Sequence, residues 1–213
     1  METGHPVVPC SGVHDGGKRS VTTTFGQSRS VRTRRDLGVT ALVEGFFAAA
    51  WFGWGQQAQV AGLEVWLDIG SVVALLVAVG GAVIGLRSPA STAVLHDRSA
   101  GRRYGITVGI EFGVAGVGAW VLGAAGQAEF IPVWVCAIVG LHFFALAPIL
   151  RDRTLVPLGV LTCAVAVAAL VVGLATGLDA STVTGVGTGC CLLAFGGYAL
   201  ARAVSSRPDR ATP

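Results

Sequence analysis

Apolar residues run through this chain in long stretches separated by short polar breaks. Six stretches, residues 39–58, 65–86, 104–124, 130–150, 155–177 and 182–201, account for most of its length. Each is close to the roughly 20 residues that a helix needs to cross the hydrocarbon core of a bilayer. The apolar positions are continuous and do not alternate with polar ones, which excludes the strands of a membrane barrel. Only helices satisfy their backbone hydrogen bonds inside such runs. The pattern predicts an all-α integral membrane bundle of six transmembrane helices over residues 38–203. Residues 1–37 are polar, rich in Ser, Thr, Gly and Arg, and lack a periodic apolar face, so they read as a disordered cytoplasmic tail. Residues 204–213 form a second, short cytoplasmic tail.

Composition agrees. Of 213 residues, 53% are hydrophobic and 13% are charged, about half the roughly 25% charge of a soluble domain. So few charges could not cover a soluble surface of this size, and the spans leave no room for a second folded domain.

The net charge of +3 matters less than its distribution. All 15 Lys and Arg fall in the N-terminal tail, the connection between spans two and three, the connection between spans four and five, and the C-terminal tail. The other three connections hold Glu64, Glu129 and Asp179, with Asp68 just inside span two. Basic residues are retained on the cytoplasmic side of a membrane. Strict alternation over six spans therefore places both termini in the cytoplasm. Retention also accounts for the basic clusters without nucleic-acid binding. Trp51, Trp54, Trp66, Trp120 and Trp134 all fall in the opposite halves of their spans, at the headgroup level that amphipathic rings favour. Thr33-Arg34-Arg35-Asp36-Leu37 resembles a twin-arginine export signal. Glu44 interrupts the apolar stretch that follows and five more spans come after it, so a retained first helix is expected.

The connections bearing acids are short, so spans 1–2, 3–4 and 5–6 form tight antiparallel hairpins. Gly105, Gly109 and Gly113 recur at intervals of four in span three, and Gly81 and Gly85 do so in span two. Small residues at this spacing let helix backbones approach closely, which drives association where lipid offers no hydrophobic contrast. Packing within the chain is the expected use, with a dimer interface as the alternative. Cys136, Cys163, Cys190 and Cys191 lie in spans and Cys10 in the tail, without CxxC or Cys/His ligand spacing. They read as small apolar packing residues, with no metal site.

An internal repeat stands out. Gly38-Val-Thr-Ala-Leu-Val-Glu44 resembles Gly105-Ile-Thr-Val-Gly-Ile-Glu111, and Ala48 matches Ala115 at the same offset. Thr40, Glu44 and Ala48 share one helical face, as do Thr107, Glu111 and Ala115. Hairpins 1–2 and 3–4 thus read as parallel repeats, with chance similarity of glycine-rich spans as the alternative.

Three ionisable residues lie deep in the spans. At 1.5 Å per residue, Glu44 and Glu111 sit about 9 Å above the inner starts of their helices, and His142 roughly 13 Å above Arg151. An acid at a helix centre costs about 2.5–3.5 kcal/mol to insert, so compensation is expected. One shared layer of Glu44, Glu111 and His142, lined also by Thr40, Thr107 and Thr162, would supply it. Such a layer is either a proton relay or solute site, or a hydrogen-bond network that fixes helix register.

No GxSxG, HExxH, dinucleotide-binding or P-loop motif occurs, so neither an enzyme class nor a cofactor is implied. Glu129-Phe-Ile-Pro-Val-Trp134, Gly140-Leu-His-Phe-Phe-Ala-Leu-Ala147 and the glycine-rich third span with Glu111 together resemble small bacterial multi-pass membrane proteins of unassigned function, over roughly residues 85–175. The resemblance implies a multi-helix protein of the bacterial inner membrane and carries no activity. The reading that follows is a small proton-linked carrier of an unspecified small molecule or ion. The alternative is a non-transporting scaffold or partner subunit. A homo-oligomer or a membrane partner would complete a pathway that six spans build only in part.

Overall fold

The structure is a computed structural model that describes residues 33–58, 60–88 and 98–206. The expected N-terminal tail up to residue 32 and the C-terminal residues from 207 onward lie outside the described residues. Among the described residues all regular structure is helical: α1 (Arg34–Gly55), α2 (Glu64–Arg87), α3 (Arg98–Ala124), α4 (Ile131–Leu150), α5 (Leu155–Thr176) and α6 (Ala180–Ser205). Short 3-10 turns at Gln56–Ala58 and Ala128–Phe130 follow α1 and precede α4. All six helices are long and apolar enough to cross a membrane.

Local chemistry sets the ends. The start of α1 is a capping box: Thr33 Oγ1 accepts from the Asp36 amide at 3.2 Å, and Asp36 Oδ2 accepts from the Thr33 amide at 3.2 Å. The Thr-Arg-Arg-Asp segment is therefore the first turn of a spanning helix, which begins four residues before the predicted domain boundary. Pro132 occupies the first turn of α4, where its missing N–H costs nothing. α4 ends on Arg151 in the left-handed region (φ 52°), and Asp152 Oδ1 then accepts from the amide and hydroxyl of Thr154 at 3.0 and 2.7 Å, starting α5. Gly177 (φ 68°) closes α5 and Asp179 caps α6 by accepting from the Ser181 amide at 2.8 Å. The turn between these helices requires glycine there because only glycine takes that conformation without strain.

The three expected hairpins form, but the densest packing is α1 between α2 and α6. Backbone proximity achieves it. A Cβ at Gly81 would stand 2.5 Å from the Leu42 amide nitrogen and 2.6 Å from the Gly38 carbonyl, and one at Gly38 2.8 Å from the Gly85 nitrogen. A Cβ at Gly45 would stand 2.7 Å from the Ala74 carbonyl, and one at Gly185 2.5 Å from Gly55 Cα. Phe52 is buried between Gly70 of α2 and Gly189 of α6. α6 also touches α4 and α5, joined by a small polar node in which Cys136 Sγ lies 3.1 Å from Thr188 Oγ1 and 3.4 Å from the Thr162 carbonyl.

α3 is different. It packs along α4 and the 3-10 turn before α4, and none of its spanning window is buried. Its α4-facing side carries Val108, Glu111, Ala115 and Gly118, at helical spacing. Gly105, Gly109 and Gly113 lie on the other side, where an added Cβ would meet nothing within 4 Å. The expectation that this stripe packs within the chain is therefore corrected, whereas Gly81 and Gly85 do pack as expected.

Large apolar side chains cover the outside, with Trp120 73% and Leu86 87% exposed. Water would penalise such a surface and hydrocarbon would not. The basic residues of the described helices, from Arg34 and Arg35 to Arg202, gather at the end where α1 starts and α6 stops. This is a multi-pass helical membrane protein.

Gly81→Ala should lower the melting temperature of the detergent-solubilised protein, by a destabilisation of about 1–3 kcal/mol, since backbone atoms must move to admit the methyl group. Gly109→Ala should leave stability unchanged or raise it by up to about 1 kcal/mol through helix propensity.

Candidate functional site

The deep ionisable residues divide between two interfaces. Glu111 of α3 and His142 of α4 meet across the α3–α4 contact, with His142 Nδ1 2.5 Å from Glu111 Oε2 and side-chain exposures of 12% and 14%. The approach is close but not aligned as a hydrogen bond. Hydrocarbon makes separating such a pair costly, because each group would lose its partner without gaining water.

Several features hold α3 in place for this contact. The Trp134 indole of α4 lies against Gly118, where a Cβ would overlap the ring, and its Nε1 donates to the Val114 carbonyl at 3.3 Å. The carbonyl accepts a second hydrogen bond here, one that lipid could not provide. On the far side of α4, Gly140 lets Cys163 of α5 approach, and Gly159 of α5 lies against the Gly140 carbonyl and Phe143. The ring of Phe143 is tilted at 57° to that of His142, with centroids 6.1 Å apart.

Glu44 does not join this pair. It is buried at 6% exposure on the side of α1 that meets α6, where a Cβ at Gly196 would lie 3.2 Å from Glu44 Cβ and 3.5 Å from Val77 Cγ1. Among the described residues no group of three or more His, Cys, Asp or Glu side chains is placed to hold a metal ion. The single layer of two glutamates and a histidine is thus corrected. Equal depth along separate helices says nothing about rotation about their axes, and these two acids point into different interfaces.

Val77 stands as far from Glu64 on α2 as His142 stands from Glu129 on α4. The position in the first hairpin that matches His142 by this spacing is a valine.

The threonines also scatter. Thr162 is fully buried in α5 and donates to the Leu158 carbonyl of its own helix at 2.9 Å. Thr40 donates to the Asp36 carbonyl at 3.0 Å. Thr107 is half-buried one turn from Glu111 on the same face of α3, the one threonine of the three placed beside the pair.

Sequence reading passed over two places. Asp152 is buried at 6% exposure between Arg151 and Arg153, in the connection from α4 to α5. Its Asp-x-Thr spacing is the signal that it turns the chain into α5. At the other end of the bundle, Trp54, Gln57, Glu129, Ile131, Asp179 and Ser181 line a cleft of about 540 Å³. A narrower one of about 200 Å³ shares Glu129 and Asp179 with it. No known protein family, curated protein or solved structure matches this chain.

A double-mutant cycle should separate the interfaces. Glu111→Gln and His142→Gln should couple by about 0.5–1.7 kcal/mol in thermal stability. Glu44→Gln and His142→Gln should be additive within about 0.5 kcal/mol.

Proposed function

We propose that this protein is a small proton-linked carrier in which Glu111 and His142 handle the proton. The contact between their side chains within two apolar helices carries the reading. A carboxylate and an imidazole at 2.5 Å can hold one proton between them, or release it when the helices part. In hydrocarbon the charge state of such a pair is coupled to its separation: as an ion pair it holds the helices together, and on loss of the imidazole proton a lone carboxylate charge remains that favours access to water. α3 supports this role because it packs on α4 rather than in the dense α1–α2–α6 group. It can therefore shift without disrupting the core, and motion of one element against a fixed group is how carriers change access. In this reading the basic end faces the cytoplasm of a bacterial cell, by retention of its arginines.

The second reading, a scaffold or partner subunit, draws on the same observation about α3. A helix with one packing neighbour needs a polar clasp, and Glu111 with His142 would be that clasp.

Reconstituted vesicles distinguish the two. With a pH gradient imposed and a panel of small solutes supplied, wild-type vesicles should move protons faster than empty ones. Glu111→Gln and His142→Gln should each reduce that excess at least tenfold while the protein stays folded. Wild-type rates equal to those of empty vesicles, with Glu111→Gln lowering only the melting temperature, would reject the carrier in favour of the clasp.

A further inference from the structure

The end of the bundle opposite the arginines holds a second constellation, separate from Glu111 and His142. Its cleft of about 540 Å³ lies where the α1–α2, α3–α4 and α5–α6 connections meet. That volume is in the range of small-molecule sites, about 300–1,000 Å³. Two carboxylates line it, Glu129 from the 3-10 turn before α4 and Asp179 from the cap of α6. No lining residue is basic, and every described Lys or Arg sits at or near the other end of its helix. Both carboxylates are exposed, and with no basic residue among the lining the cleft carries a net negative charge.

Its remaining walls narrow the kind of cation. Trp54 supplies an aromatic wall, its ring fixed by stacking on the buried Trp51 at a centroid distance of 5.2 Å and an interplanar angle of 23°. Ile131 adds apolar surface and the Gln57 side chain adds an amide. Ser181 lines the cleft at 5% exposure, and its Oγ has no hydrogen-bond partner among the described residues. A buried hydroxyl without a partner is costly, and here it belongs to the residue whose amide already holds the Asp179 carboxylate. Among the described residues no third His, Cys, Asp or Glu joins the two acids in a group that could hold a metal ion. An anion at the start of α6 would meet both carboxylates.

From these features we infer that the cleft binds a small organic cation, an amine or a quaternary ammonium ion. The carboxylates of Glu129 and Asp179 balance its charge and the ring of Trp54 packs against its alkyl groups, where cation–π attraction is strongest. The inference does not depend on the proton-linked reading, because none of its residues belongs to the α3–α4 pair.

Calorimetric titration of the purified full-length protein in detergent with tetramethylammonium chloride, against sodium chloride of equal ionic strength, tests it. Saturable binding is expected for tetramethylammonium and not for sodium. Glu129→Gln combined with Asp179→Asn should weaken it at least tenfold. Asparagine remains a good helix cap, so α6 should still form, and an unchanged melting temperature checks this. Trp54→Leu should weaken binding more than Trp54→Phe does. Glu111→Gln should leave the affinity within twofold of wild type, so loss of proton flux and loss of cation binding can be told apart. Absence of saturable binding in the wild type, or equal affinity in the doubly neutralised variant, would overturn the proposal. Displacement of tetramethylammonium by millimolar calcium with a tighter affinity would overturn it in favour of a metal site.

Discussion

In hydrocarbon, burying an apolar side chain against another helix gains little over leaving it in lipid, so this bundle must be held by contact itself. Association then rests on how closely backbones approach and on the few polar groups that lipid cannot satisfy. The α1–α2–α6 group meets that requirement with glycine: Gly38 and Gly45 set α1 against α2, and Gly55 against Gly185 sets it against α6. Each is a place where one methyl group would separate two helices. The remaining polar links are short and specific, such as Arg34 Nε donating to the Ala203 carbonyl at 3.1 Å where the first and last helices meet.

The same constraint makes the structure uneven. Among its described contacts α3 has Gly118 close beneath Trp134 and Glu111 against His142. The helix that carries Glu111 is thus loosely held, packing chiefly on α4. Structure and candidate function are linked here through energetics. In the carrier we propose, a change of charge at that pair would loosen a helix without disturbing the core. The cleft near Glu129 and Asp179 lies at the other end of α4 from its arginine, so α4 spans the distance between the two candidate sites.

Much of the architecture was legible in advance. The six spans, their hairpin pairing and the gathering of the arginines at one end follow from segment length and charge position, which depend on bilayer thickness and on the cost of moving charge. The packing role of Gly81 and Gly85 was legible too. The capping box at Thr33 and Asp36 was legible in principle. Its arginines resembled an export signal instead, because the same residues suit both a helix start and a membrane-flanking charge cluster.

What the chain determined alone was how many helices cross, how they alternate and how deep each charged group lies, since all three are measured along a helix. The meeting of Glu111 with His142 and not with Glu44, the outward turn of Gly105, Gly109 and Gly113, and the nesting of α1 against α6 were decided only by tertiary structure. The reason is physical. In water a packing face is marked by apolar residues and its opposite by polar ones, but in lipid both faces are apolar, so the rotation of each helix about its own axis leaves little trace in hydrophobic pattern. That rotation is set by steric fit between backbones, which only the assembled bundle defines.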